Sequence, residues 1–172
     1  LVRSVDGRWI SPDQEPGTDE LIESSVAIDG NDVRILSPEH NLLQVCLHTA
    51  KHSFVRAPGF RLHTDVDRIV HETDLDWTLF KEMVSDLQVK TATFFSLALA
   101  SDLLGTPIPE HVMIQIKPNR WKVWIMSKWL QKVGLFDPDG VKWGAIGYIF
   151  FVSMLYDSVG VWLKGIIPEK QW

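Results

Sequence analysis

Apolar positions recur with helical spacing through most of the chain after residue 37. Ser37 suits a helix N-cap and Pro38 suits the first helical position, and apolar residues then return every three or four positions from Leu42 to Ala50. The predicted helices span approximately residues 38–53, 62–71, 77–87, 90–104, 119–134 and 141–164, with Asp76, Gly105 and Asn119 as boundary residues. This pattern predicts a bundle of about five to six helices.

The first 37 residues have a different pattern. Residues 1–5 could form a strand, and prolines and a glycine within 11–17 predict a loop. β-Branched residues then flank the Asp-Gly-Asn-Asp segment 29–32, which is typical of a hairpin. We therefore predict a mainly α fold (α+β) with a small N-terminal β-hairpin or sheet remnant, organised as a β-containing segment 1–37 and a helical domain 38–172.

Composition narrows the class of protein. The 172 residues are 45% hydrophobic and 23% charged, which is ordinary for one globular domain. The net charge is -5, and the 17 basic residues form no long run, so we expect no nucleic-acid partner. The lone cysteine, Cys46, favours a reducing compartment, and no signal peptide is visible at Leu1. We expect a cytoplasmic bacterial protein, and we interpret the opening on Leu1 as that of a fragment.

The segment 144–163 must be weighed as a membrane span, because Asp157 is its one formally charged residue. About 20 apolar residues can span a bilayer. Gly144, Gly147 and Ser153 interrupt this segment, and a buried helix explains it equally well. We expect no membrane partner.

His48 and His52 are the first candidates for chemistry. They lie four residues apart on the first predicted helix, about 40° apart around its axis. Asn41 and Gln44 share this polar stripe. The stripe is either a solvated face or one wall of a cleft, where the two imidazoles could hold a metal, bind phosphate or transfer protons.

A metal would need a third ligand, for which the candidates are His63, Asp65 and Asp67. The segment from His48 to His52 lacks the inner glutamate of a zinc peptidase. The Asp-x-Asp pair is the kind used in two-metal nucleotidyl transfer, but the chain has no Gly-Ser dipeptide to accompany it. Both aspartates could instead interact with the dipole in the first turn of a helix. A stand-alone metal-binding enzyme using His48, His52 and Asp65 remains one alternative.

Tryptophan is abundant, with eight residues in the chain. Six of them come after residue 120, among them Trp121, Trp124, Trp129, Trp143 and Trp162. Core packing is the first explanation, and an exposed aromatic surface is the second. A non-catalytic interaction module that binds a partner through Trp124 or Trp129 is therefore another alternative.

Several segments, taken in order, resemble the uncharacterised nucleotidyltransferase family. Leu36 to His52 (LSPEHNLLQVCLHTAKH) is similar to the family's "LSPE…LLhLClHaaKH" segment. The other similar segments are RLHTDVDR at 61–68, LDW at 75–77, LLGTPIP at 103–109, and the tail segments LYD at 155–157 and IPEKQW at 167–172. The resemblance covers approximately residues 22–172.

The resemblance implies a polymerase-β-type nucleotidyltransferase domain upstream, carrying the Gly-Ser turn, the nucleoside triphosphate and Mg²⁺. This chain would be the C-terminal helical part, inactive alone, that helps to bind a small-molecule or protein acceptor. The resemblance carries over His48, Lys51, His52 and Asp65 without assigning their chemical roles. Because a general base must be a titratable group close to the reacting proton, we take His52 and Asp65 as the catalytic candidates. The substrate-binding candidates are His48, Lys51 and Arg61. No metal ligand is assigned within this chain.

Overall fold

A computed structural model describes residues 14–28, 32–55, 59–133 and 145–166. Of these residues 71% are helical, in nine helices, and the remaining regular structure is one two-stranded antiparallel sheet. The elements are α1 Thr18–Glu23, β1 Val26–Ala27, β2 Arg34–Ile35, α2 Pro38–Lys51, α3 Arg61–Glu72, α4 Trp77–Asp86, α5 Lys90–Leu104, α6 Glu110–Ile116, α7 Arg120–Val133, α8 Ala145–Leu155 and α9 Val159–Ile166. The predicted mainly α fold is confirmed.

Local capping signals set the boundaries of the central helices as predicted. The Ser37 hydroxyl accepts a hydrogen bond from the backbone N of His40 at the start of α2. One Asp76 carboxylate oxygen accepts from the first turn of α4. Gly105 ends α5 with a φ of 72°, a left-handed conformation that glycine adopts without steric cost.

The prediction of five to six helices was too low. The segment predicted as one helix over 141–164 contains two helices in its described part, because residues 156–158 bend between α8 and α9. Two short helices, α1 and α6, were not predicted. α6 has only seven residues, and it is fixed by burial of Val112 and Ile116 against the rest of the core.

The predicted hairpin is present, with Val26 paired to Ile35 and Ala27 to Arg34. Its predicted turn centre 29–31 and the predicted strand 1–5 lie outside the described residues. Both strands are exposed. The segment before α2 is joined to the helices by polar contacts, since Glu20 lies 3.4 Å from the ring of His40. The domain boundary at residue 37 stays a prediction.

Helix α5 lies at the centre of the bundle and packs against α2, α3, α4, α6 and α8. Its residues from Thr91 to Leu97 are all buried. Phe54, in the turn after α2, is fully buried. Its ring lies 6.1 Å from the ring of Phe95 and 6.0 Å from that of Phe151, which joins this turn to α5 and α8 in one core.

The tryptophans divide between core and surface. Trp129 is half-buried and packs against the core, with its ring 5.8 Å from that of fully buried Phe151. Trp121 and Trp124 are 53% and 64% exposed, so core packing was the wrong explanation for these two. Trp143 lies outside the described residues.

A polar cluster around Asp157 caps the start of α5. The Asp157 carboxylate accepts hydrogen bonds from the backbone N of Lys90 at 2.7 Å, and from the backbone N and hydroxyl of Thr91 at 2.8 and 2.7 Å. Buried Lys122 donates to the carbonyl of Tyr156 at 2.6 Å and to Thr91 at 3.4 Å. Burial lowers the pKa of Lys122, while the negative charge of Asp157 opposes this shift.

Asp157 therefore has a structural role in the apolar segment that contains it. None of the helices in the described ranges is both long and apolar enough to cross a bilayer.

Candidate functional site

The two histidines of the polar stripe lie together at the end of α2. Their ring centroids are 4.6 Å apart and the rings are tilted by 58°. His48 is exposed, and His52, half-buried, forms the C-cap of the helix. The four-residue spacing thus produces one histidine pair, His48 and His52, open to solvent on one side.

Asp65 on α3 and Lys51 on α2 act electrostatically on His48. The pKa of His48 is lowered from 6.5, first by the partial burial of its ring and then by the positive charge of Lys51. The carboxylate of Asp65 acts in the opposite direction. At neutral pH the His48 ring is accordingly mostly uncharged and can accept a proton or a hydrogen bond.

The polar stripe continues into a groove of about 320 Å³ between α2 and α3. The groove is lined by Asn41, Val45, Asp65, Arg68, Ile69, Glu72 and Thr73. The first turns of α2 thus face the last turns of α3, so the two helices run antiparallel. We call this the α2–α3 groove.

The same antiparallel register places the start of α3 beside the end of α2. Arg61, the first residue of α3, is exposed and lies one turn before Asp65 on the same side of the helix. Lys51 and His52 end α2 opposite it. The five residues predicted from sequence (His48, Lys51, His52, Arg61 and Asp65) therefore occupy one end of the α2–α3 pair. Within this group the two histidine rings are in contact, and Lys51 and Asp65 both act electrostatically on His48.

His63 and Asp67, the other candidate ligands, are engaged elsewhere. His63 is fully buried, and its Nε2 donates a hydrogen bond to the carbonyl of Phe54 at 2.9 Å. Asp67 accepts a hydrogen bond from the hydroxyl of Thr106 at 2.7 Å. Helix α3 begins at Arg61 and has no acidic residue in its first turn, so the suggested interaction of the aspartates with the helix dipole was wrong.

The described residues do not fit the Mg²⁺ that the resemblance implies. Asp65 and Asp67 are two positions apart on α3, about 200° around its axis, and therefore point to different sides. Within the described ranges, no three His, Cys, Asp or Glu side chains are arranged to hold a metal ion. The alternative of a metal enzyme using His48, His52 and Asp65 thus gains no support from the geometry.

The turn after the histidine pair has an unusual backbone that the sequence did not predict. Ser53 and Phe54 both have positive φ, 55° and 62°, although neither is glycine. Both are buried, and the hydrogen bond from His63 holds the Phe54 carbonyl. Within the described part of the chain, Ser53 Oγ and His63 Nδ1 are buried without a hydrogen-bond partner. Non-glycine residues in this region cost about 1–3 kcal/mol each and tend to occur near functional sites.

Comparison with known protein families gives the class of protein to which this helical chain belongs, the nucleotidyltransferases. A family model described as "Uncharacterised nucleotidyltransferase" matches residues 4–105. The match spans more than half of the chain and contains α2, α3 and the whole α2–α3 groove. The chain belongs to this family, as its sequence motifs predicted.

No curated protein and no solved structure gives a significant match to the chain. The family match ends at Gly105, directly after α5. The similarities noted in the tail therefore stay predictions, and α6 to α9 lie outside the matched region.

Proposed function

We propose that this chain takes part in nucleotidyl transfer from a nucleoside triphosphate to an acceptor, and that its α2–α3 groove binds the acceptor. The observation that carries the proposal is the position of Asp65 beside the histidine pair, at the end of a groove that lies inside the family match. The groove volume of about 320 Å³ suits a small molecule or one side chain of a protein acceptor.

Two charged side chains are suited to the anionic groups of the acceptor. Lys51 and Arg61 carry positive charges at the same end of the α2–α3 pair. His48 was also expected to bind phosphate, but the lowered pKa of its ring favours the uncharged form. We therefore assign phosphate or carboxylate contacts to Lys51 and Arg61, and a hydrogen-bonding role to His48.

His52 or Asp65 would accept the proton of the acceptor hydroxyl. General-base catalysis requires a titratable group within about 3 Å of that proton. The hydroxyl oxygen then bonds to the α-phosphorus of the nucleoside triphosphate, and pyrophosphate leaves. By the resemblance, the donor triphosphate and its metal would be bound by a polymerase-β-type domain outside these 172 residues.

The test is a transfer assay with α-labelled nucleoside triphosphates and a panel of acceptors, using full-length protein. Asp65→Asn and His52→Gln remove the two candidate bases, and the loss of the general base should reduce kcat by about 10²- to 10⁴-fold. The matched controls Asp102→Asn and His111→Gln change exposed residues of α5 and α6 and should leave the rate unchanged. Wild-type rates in both site variants, or transfer by residues 1–172 alone, would refute this division of roles.

A further inference from the structure

The outer face of α7 combines exposed aromatic rings with positive charge. Its buried side consists of Lys122, Met126 and Leu130, while Trp124 is 64% exposed on the opposite side. After Glu110 the sequence has no acidic residue up to Val133, although the whole chain has a net charge of -5. Positive charge is therefore concentrated on this part of an acidic protein.

Helical spacing gathers these side chains around a groove of about 390 Å³. Its polar and aromatic lining consists of Lys117, Arg120, Trp124, Ser127, Lys128 and Gln131. From Arg120 to Gln131 these residues recur every three or four positions and share one face of α7, while Lys117, the C-cap of α6, precedes this helix. No acidic side chain is among the residues that line this groove, which we call the α7 groove.

We propose that the α7 groove binds a phosphate-bearing ligand with a planar ring, that is, a nucleotide unit. The cations Lys117, Arg120 and Lys128 supply charge-assisted donors for phosphate oxygens. The exposed face of Trp124 supplies a stacking surface for a base. The volume is in the range of small-ligand sites and suits one nucleotide.

An acidic peptide is the main competing occupant. It would match the three cations, but its carboxylates have no stacking interaction with the indole of Trp124. The combination of an exposed ring with cations on either side of it in sequence favours the nucleotide unit. This inference does not depend on the proposed acceptor groove, because the two grooves share no residue and α7 lies outside the family match.

The experiment titrates the whole chain with small-molecule and polymer probes, and binding is measured by calorimetry and by changes in amide NMR shifts. The probes are AMP, adenosine, ribose 5-phosphate, single-stranded oligoadenylate of ten units, and a hexaglutamate peptide. AMP should bind saturably and more tightly than either adenosine or ribose 5-phosphate, and its affinity should fall as salt is raised. If oligoadenylate binds far more tightly than AMP, the nucleotide unit in the α7 groove belongs to a nucleic-acid strand. If the two bind with equal affinity, the ligand is the free nucleotide.

Paired variants of α7 separate the groove from the rest of the surface. Trp124→Ala should weaken AMP binding by about tenfold or more through lost stacking. Trp121→Ala removes an equally large exposed ring that does not line the groove, and it should leave the affinity unchanged. Arg120→Gln should weaken binding and its salt dependence, whereas Lys132→Gln, also outside the groove, should not.

Three results would overturn the proposal. They are the absence of saturable AMP binding at millimolar concentration, equal effects of Trp124→Ala and Trp121→Ala, and hexaglutamate binding as tight as that of AMP. Because Trp121, Trp124 and Arg120 are all exposed, their variants are expected to fold, and circular dichroism checks this directly.

Discussion

Asp157 and Thr91 are joined by two hydrogen bonds, from the backbone N and the hydroxyl of Thr91, across 66 residues of sequence. Helix α5 begins at Lys90 after Val89, which has no side chain able to cap it. The carboxylate from the bend between α8 and α9 takes that role, and its negative charge also suits a helix N-terminus. The central helix is therefore completed by a residue outside the family match.

Asp157→Ala should lower the free energy of unfolding by about 2 kcal/mol, because it leaves the first amides of α5 and buried Lys122 without their anionic partner. Urea denaturation followed by circular dichroism measures this change. The control Asp102→Ala removes an exposed carboxylate near the end of α5 and should change stability by less than about 0.5 kcal/mol. Equal stability of the two variants would contradict the capping role.

The His48 ring should titrate below pH 6.5 in proton NMR of the folded protein. Lys51→Met should raise the pKa of His48, because it removes a positive charge that opposes protonation. Asp65→Asn should lower it further, because it removes the carboxylate that favours protonation. Shifts of the His48 pKa in the opposite directions, or no shift in either variant, would show that the three groups do not form one site.

Acid should destabilise the fold through His63. Burial lowers the folded-state pKa of His63 from 6.5, so the unfolded chain binds its proton first as pH falls. The contribution of His63 is fully present above pH 6.5 and is lost as pH falls toward the folded-state pKa, with a slope of at most about 1.4 kcal/mol per pH unit.

Urea denaturation between pH 7.5 and 5 measures this loss. His63→Gln should flatten the pH dependence and lower stability at pH 7.5, whereas exposed His111→Gln should do neither. A profile of unchanged slope in His63→Gln would refute the assignment.

Ser53→Gly should stabilise the protein by about 1 kcal/mol, because glycine adopts a φ of 55° without the steric cost of a Cβ and removes a buried, unpartnered hydroxyl. Ser53→Ala removes the same hydroxyl but keeps the strained backbone. Thermal and urea unfolding of the two variants should rank glycine above alanine. The reverse order would mean that the turn is not strained.

The sequence predicted the helices whose ends carry their own capping residues. Ser37, Asp76 and Gly105 act on backbone groups within a few residues, so α2, α4 and α5 were placed almost to the residue. α6 and the bend between α8 and α9 depend on packing partners far along the chain, and no local signal marks them.

The candidate site likewise has one feature that the sequence predicted and one that it did not. The adjacency of His48 and His52 follows from helical spacing alone, and the structure shows it directly. The exclusion of His63 from the site could not be read from its position beside Asp65, because its hydrogen-bond partner is a backbone carbonyl in a strained turn.

The sequence by itself determined the mainly α fold, the family and the polar stripe of α2, because each depends on residue spacing and local backbone chemistry. Only the tertiary structure decided that Asp65 acts on His48, that Asp157 caps α5 and that Trp124 faces solvent beside three cations. These relationships join elements distant in sequence or depend on which face of a helix is covered. The packing of the whole core decides which distant elements meet and which helix faces are covered, and no local sequence pattern encodes either outcome.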